Sequence, residues 1–247
     1  MIALTESECC ALGARTIVHL YGARRASRPQ LEREPLGRAT KSVVRKIIVY
    51  IATSADGYIA RPDGNVDWLN HPRFAGDYGM RAFYRSIDTI LWGRKTYEVA
   101  LEFQKQGIKG AAFDPKVKNY IFSHHPPSLA APPVEFVTEA IPAFARRLRM
   151  TPGKDIWMMG GAGLIASFLD ENEIDDFIIH VIPTLIGEGI PLIAARHLEV
   201  PLQLRSSRHY SDGVVRLHYS VLKPRPRKGP GSNARPNKRL KLTGARK

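Results

Sequence analysis

The sequence is nearly without cysteine. Its two, Cys9 and Cys10, are adjacent, so they cannot staple distant parts of a fold, and they lack the C-x-x-C spacing of a zinc site. Disulfide scaffolds and zinc modules are excluded, and no metal is expected. Also missing is any apolar run near the roughly 20 uncharged residues that a membrane helix needs. The N-terminus has no basic, apolar, small-residue layout of a secretory signal, and Glu6, Glu8, Glu32 and Glu34 are out of character for a transit peptide. A soluble cytoplasmic protein with no membrane partner is expected. There is no internal repeat. There is also no G-x-G-x-x-G with an acidic residue at the usual distance beyond it, which disfavours a Rossmann domain.

What is present suffices for a real core: 247 residues, 44% hydrophobic and 24% charged, enough for one large domain or two small ones. The net charge of +14 points to a nucleic-acid binder until it is divided along the chain. Residues 1–46 hold nine basic and four acidic residues, and residues 223–247 hold ten basic and no acidic ones. The middle, residues 47–222, holds eighteen basic and nineteen acidic residues and is close to neutral. The basic character therefore belongs to the ends. Residues 224–247, rich in Pro, Gly, Lys and Arg, have almost nothing to bury and read as a disordered tail. Residues 1–42 read as an extension, disordered or partly helical, leaving one domain over residues 43–223.

Within that domain the pattern switches between apolar runs of strand length and amphipathic stretches of helix length, the mark of an α/β fold. Strands are predicted at Ile47–Thr53, Thr89–Trp92, Tyr120–Ser123, Val134–Val137, Ile156–Met159 and Phe177–Ile182. Helices are predicted at Tyr78–Ile87, Lys95–Gln106, Ile141–Met150 and Leu164–Asn172. Leu202–Arg208 and Val214–Leu222 alternate around Ser211-Asp212-Gly213 and should close the domain as an antiparallel hairpin.

Two strand-to-helix turns are laid out for anions, because a helix N-terminus offers free N–H groups and a favourable field there. One is Gly93-Arg94-Lys95-Thr96; the other is Gly160-Gly161-Ala162-Gly163, after Met159. Each alone also reads as a plain turn or as tight helix–sheet packing; together they suggest a dinucleotide. A third feature is the loop Ser54-Ala55-Asp56-Gly57-Tyr58-Ile59, with Gly64 and Trp68 shortly after it. Its hydroxyl, carboxylate and indole suit a flat heteroaromatic ligand, although Ser54 and Asp56 equally suit a turn.

These motifs, in the order S-x-D-G-x-I-A, D-x-I-L-x-G-R-x-T-Y-E, M-G-G-A-G and V-I-P-T-L-I-G-E-G-I-P-L, resemble the dihydrofolate reductase-like superfamily. The likeness runs from about Arg45 to Lys223 and is strongest to the reductase domain of riboflavin biosynthesis and its uncharacterised relatives. It implies a three-layer α/β fold whose mostly parallel central sheet ends in an antiparallel hairpin. It further implies an NADPH-dependent oxidoreductase acting by hydride transfer on a small pterin- or pyrimidine-like substrate, and a homodimer. By the same resemblance, Ala52 and Ile59 hold the nicotinamide carboxamide, Gly93, Arg94, Lys95 and Thr96 hold phosphate, and Ser123 lies on the adenosine side. Gly160, Gly161, Ala162 and Gly163 form the pyrophosphate turn. Ser54, Asp56 and Trp68 belong to the substrate loop, and Asp77 falls where a pterin-binding carboxylate stands, with a helix N-cap as the other reading. Asp56 and Asp77 are the candidate proton donors. Arg81 and Arg85 approximate an Arg-bearing helix that grips a ribose phosphate, and His180 takes a position near the catalytic carboxylate, where a core histidine is the plainer reading. The C-x-x-C ligands of a zinc deaminase partner domain are absent. The other function class is an inert domain whose basic tail binds nucleic acid or an anionic surface.

Overall fold

The computed structural model describes residues 44–69, 73–74, 76–105, 114–125, 134–197 and 199–223. The expectations for residues 1–42 and 224–247 lie outside them. The β-branched run of β1 (Ile47–Ser54) forms a central strand, flanked by parallel neighbours on both sides and buried on both faces at its start. Around it stand β3 (Ile87–Gly93), β4 (Lys118–Phe122), β5 (Val134–Val137), β6 (Asp155–Gly160) and β7 (Asp176–Ile182), followed by the hairpin β9 (Leu202–His209) and β10 (Val215–Val221). The order across the sheet is β5-β4-β3-β6-β1-β7-β10-β9. All pairs from β5 to β7 are parallel, and β10 and β9 are antiparallel.

Helices cover both faces. α1 (Met80–Ser86) and α2 (Arg94–Lys105) lie on one, and α3 (Ile141–Met150) and α4 (Ala162–Asp170) on the other. The α3/α4 side packs Val49, Leu91 and Met158 against Phe144 and Phe168, all with no exposed surface. The α1 side packs Tyr50, Trp92 and Trp157 against Met80 and Phe83. α2 differs from the other three in burying no residue completely, because its inward side borders a cavity. Among the described residues no helix is long and apolar enough to cross a membrane.

Among the departures from the sequence reading, α4 begins at Ala162 rather than Leu164 and β3 at Ile87 rather than Thr89. The helix expected from Tyr78 starts at Met80, because Tyr78 and Gly79 both take left-handed backbone angles, φ 49° and 91°. A small antiparallel sheet of β2 (Tyr58–Ala60) and β8 (Ile190–Pro191) was not expected. Segments of three and two residues are too short to carry a period, and each exists only because the other reaches it.

Candidate functional site

β3 ends at Gly93 and α2 begins with the next residue; β6 ends at Gly160, and Gly161 leads into α4. Because β3 and β6 are neighbours, with Trp92 opposite Gly160, the two turns lie side by side at the carboxyl edge of the sheet. A Cβ on Gly93 would stand 3.3 Å from both the Gly160 carbonyl oxygen and the Gly161 nitrogen, and one on Gly161 would stand 3.2 Å from Thr96 Oγ1. Gly160 has φ 106°, a conformation that glycine takes without penalty. Neither helix carries an acidic residue in its first turn, and the N-cap residue of α4, Gly161, has no side chain to cap its leading N–H groups.

A cavity of about 1220 Å³ opens at these turns and continues between the sheet and helices α1 and α2. Ala52, Ile59, Gly93, Arg94, Lys95, Thr96, Ser123, Gly161, Ala162 and Gly163 all line it. Gly160 lies just beneath, packed against Gly93. Arg94 Nε donates to Glu98 Oε1 at 2.7 Å one turn up the helix, with both side chains about half exposed. Ser123 Oγ accepts the His125 N–H at 3.2 Å.

The residues assigned to substrate and proton transfer do not join them: Ser54, Asp56, Trp68 and Asp77 are not on the cavity wall. Ser54 is buried, and its hydroxyl accepts the Tyr58 N–H at 3.0 Å, closing the β1–β2 turn. Asp56 is exposed and accepts the N–H groups of Gly187 at 2.7 Å and Ile186 at 3.1 Å, tying that turn to the segment leading to β8. A hydrogen bond from Ser54, then those from Gly187 and Ile186, hold the Asp56 carboxyl below the usual range. Trp68 is packed among Leu69, Phe74, Ile182 and Val214. Asp77 faces solvent and accepts the Arg81 N–H at 3.2 Å, which is the capping role. Arg81 and Arg85 are exposed and also lie off the wall.

The wall instead gathers Tyr50, Tyr78 and His180, three side chains from distant parts of the chain. The Tyr78 carbonyl accepts from Tyr50 Oη at 3.3 Å and lies 3.1 Å from His180 Nε2. The Tyr78 hydroxyl donates to Asp212 in the β9–β10 turn. One signal for this cluster was in the sequence: Tyr50 lies two residues before Ala52, on the same face of β1. Ala52 in turn pairs with His180 across β1 and β7. The core-histidine reading describes the burial of His180, which is 3% exposed, but misses its place on the cavity wall.

Burial, with Arg216 nearby, pushes the His180 imidazole from 6.5 down to about 4. The unfolded chain takes up this proton as the pH falls through 6.5, whereas the folded chain does so only near 4, so acid weakens folding across that window. The expected loss between pH 7 and 5 is about 2 kcal/mol from this group. Asp176 does not share the window. Burial raises its carboxyl, but hydrogen bonds from Lys46 and Ser220 outweigh that and hold it below 3.8, where its contribution begins to be lost. Denaturant titrations at several pH values should show the His180→Gln protein with a flatter slope between pH 7 and 5 by that amount. An unchanged slope would show that another group carries the acid sensitivity.

A mostly parallel sheet between two helical layers, closed by an antiparallel hairpin and holding a cavity at its carboxyl edge, is the dihydrofolate reductase-like fold. Dihydrofolate reductase from Enterococcus faecalis in complex with NADP(H) shares it at a TM-score of 0.50 over 72% of this chain and 97% of that one, with 14% sequence identity. Within that class, residues 45–216 match the RibD C-terminal domain, and the chain belongs to that family. The uncharacterized protein YwjB of Bacillus subtilis (strain 168) is 39% identical over 176 residues, covering 71% of this chain and 97% of its own length. A Shewanella sp. PV-4 protein provisionally assigned to riboflavin biosynthesis is 26% identical, with a TM-score of 0.61 over 72% of this chain and 99% of that one.

Proposed function

We propose that this protein is an NADPH-dependent reductase that transfers a hydride to a small, flat, pterin- or pyrimidine-like heterocycle. One observation carries the reading: two glycine turns set the N-termini of α2 and α4 side by side at the mouth of a cavity that continues into an aromatic-walled space. The residues present fit a dinucleotide. Gly93 and Gly161 leave room where side chains would crowd the turns, and a Cβ on Gly163 would meet nothing within 4 Å. Gly161–Gly163 and Gly93–Thr96 would hold the pyrophosphate, Arg94 and Lys95 with Ser123 the adenosine side, and Ala52 and Ile59 the carboxamide. Bound there, the reduced nicotinamide supplies the hydride.

The chain's own part is to align the acceptor and to exclude water. Tyr50, Trp92 and Trp157 give the cavity an aromatic wall. Asp56 and Asp77 lie off that wall; Tyr50 and Tyr78 lie on it, with hydroxyls held protonated by burial and donated to the Tyr78 carbonyl and to Asp212. Titration of NADPH fluorescence with the full chain is expected to saturate, and a screen of pterins, pyrimidines and small quinones to reveal NADPH oxidation. Removing residues 224–247 should leave both unchanged. Failure to bind NADPH, together with salt-sensitive DNA binding that is lost on that removal, would overturn the reading in favour of the basic tail.

NADPH and NADH differ by one ribose phosphate, so preference requires a cation at that phosphate rather than at the shared pyrophosphate. Arg94 opens a helix of twelve residues and lines the cavity, with Glu98 as its present partner. Arg94→Ala should reduce the ratio of NADPH to NADH affinity about tenfold, the weight of one charge-assisted contact. Dissociation constants for both nucleotides decide it: a variant that keeps the full preference shows that Arg94 does not read the phosphate.

A further inference from the structure

We infer that Asp212, in the turn between β9 and β10, is a positioning residue for the cavity: its carboxylate grips the Tyr78 hydroxyl and so fixes the wall that Tyr78 shares with Tyr50 and His180. That this wall faces an acceptor rests on the reductase reading above; the grip itself rests on geometry.

Tyr78 needs holding. It takes left-handed backbone angles, φ 49°, which a bulky residue adopts at a cost and keeps only where its surroundings fix it. Gly79 is left-handed too, at φ 91°, and α1 begins only at Met80, so the pair forms a bend ahead of the helix. The Tyr78 ring anchors that bend. Tyr78 is 4% exposed, packs edge-on against Tyr210 with ring centroids 5.0 Å apart, and ends in the hydroxyl whose proton Asp212 accepts. Burial first, then that bond, keeps the hydroxyl protonated.

Asp212 is itself held by its turn. Its Oδ1 accepts the Val214 N–H at 3.2 Å, while the Tyr210 N–H donates to the Val214 carbonyl at 2.9 Å and the Gly213 N–H to the Tyr210 carbonyl at 3.0 Å. One carboxylate oxygen locks the turn, and the other, Oδ2, reaches Tyr78, 134 residues away in the chain. β10 bears on the same bend a second time, because a Cβ on Gly79 would stand 2.8 Å from Arg216 Nη1.

The consequence lies at the Tyr78 carbonyl. It stands 3.3 Å from Tyr50 Oη and 3.1 Å from His180 Nε2, and those two atoms are 3.4 Å apart. His180 is thus faced by Tyr50 from β1, by Tyr78 from the bend, and by Arg216, its pairing partner on β10. Once the Asp212 contact is lost, the bend relaxes to ordinary backbone angles, draws the carbonyl away and admits water to the imidazole. Burial is the largest cause that holds the His180 imidazole down at about 4, and it outweighs the upward effect of the Tyr78 carbonyl, so the imidazole should become more basic. The glycine turns belong to β3, β6, α2 and α4, none of which carries Tyr78 or Asp212, so nucleotide affinity should stay.

The test follows the His180 ring by NMR between pH 7 and 5 in the full chain with isotope-labelled histidine, the signal being assigned by its loss in His180→Gln. In the wild type His180 should remain neutral across that range. Tyr78→Phe and Asp212→Ala should each make it titrate there, moving from about 4 toward 6.5. The double variant should match either single one, because the two substitutions remove the same contact. NADPH affinity should change by less than about threefold in all three. Thermal melts show which variants fold, and Tyr78→Phe decides alone if Asp212→Ala does not. A role confined to closing the turn would lower the melting temperature of Asp212→Ala and leave His180 neutral, and that result overturns the inference. So does a Tyr78→Phe protein with His180 unchanged, a double variant with summed effects, or a wild-type His180 that already titrates in the range. If the wild type binds no NADPH, the reductase reading falls, and the imidazole titration still decides this one.

Discussion

Gly161→Val is expected to fold and to lose NADPH binding by at least about 100-fold. The backbone at Gly161 has φ −81°, outside the left-handed region that favours glycine. The obstacle is spatial. Its Cβ would stand 3.2 Å from Thr96 Oγ1, a side-chain hydroxyl able to move, and the methyl groups would occupy the space between the leading turns of α2 and α4. Losing two charge-assisted N–H contacts to a pyrophosphate corresponds to about 100-fold or more. Gly93→Ala makes the contrast, because its Cβ would meet the backbone of Gly160 and Gly161, which cannot turn aside. That variant should lower the melting temperature, whereas Gly161→Val should change it little. A folded Gly161→Val protein that binds NADPH within a few-fold of wild type would return the glycines to a packing role.

Trp68→Ala should cost about 3 kcal/mol of stability, the usual loss for a large aromatic removed from a core. Trp68 is 6% exposed and packs with Leu69, Phe74, Tyr78, Ile182 and Val214, a cluster that joins the segment after β2 to the end of β7. Among the described residues its indole N–H has no hydrogen-bond partner. Trp68→Phe therefore gives up volume but no polar contact and should cost under about 2 kcal/mol. Urea unfolding of the two variants tests the difference. If Trp68→Ala kept full stability and weakened only substrate affinity, the indole would belong to the site, as its place in the loop suggested.

The sequence was most legible where one segment carries its own pattern. The strand at Val134–Val137 and the helix at Ile141–Met150 appear with the bounds that alternation and periodicity indicate. The glycine turns were legible as strand-to-helix turns because a strand, small residues and a helix start follow one another within a few positions. For Asp56 the sequence left ligand and turn open, because its partners, Ile186 and Gly187, lie 130 and 131 residues away, and a DG turn looks the same whether its carboxylate serves a ligand or a distant backbone. Arg81 and Arg85 were misplaced for a related reason: the orientation of α1 on the sheet, not its composition, decides which side chains reach the cavity.

By itself the sequence determined the α/β class, the order of strands and helices, the near-neutral domain between basic ends and the two phosphate-sized turns. These follow from local propensity, spacing and charge, which a linear reading preserves. Only the tertiary structure decided that β3 and β6 are neighbours, so that the two glycine turns lie side by side. It also decided that Tyr50, Tyr78 and His180 meet around one carbonyl. Those outcomes depend on strand order and helix rotation, which are set by how the apolar faces of the whole chain are buried together.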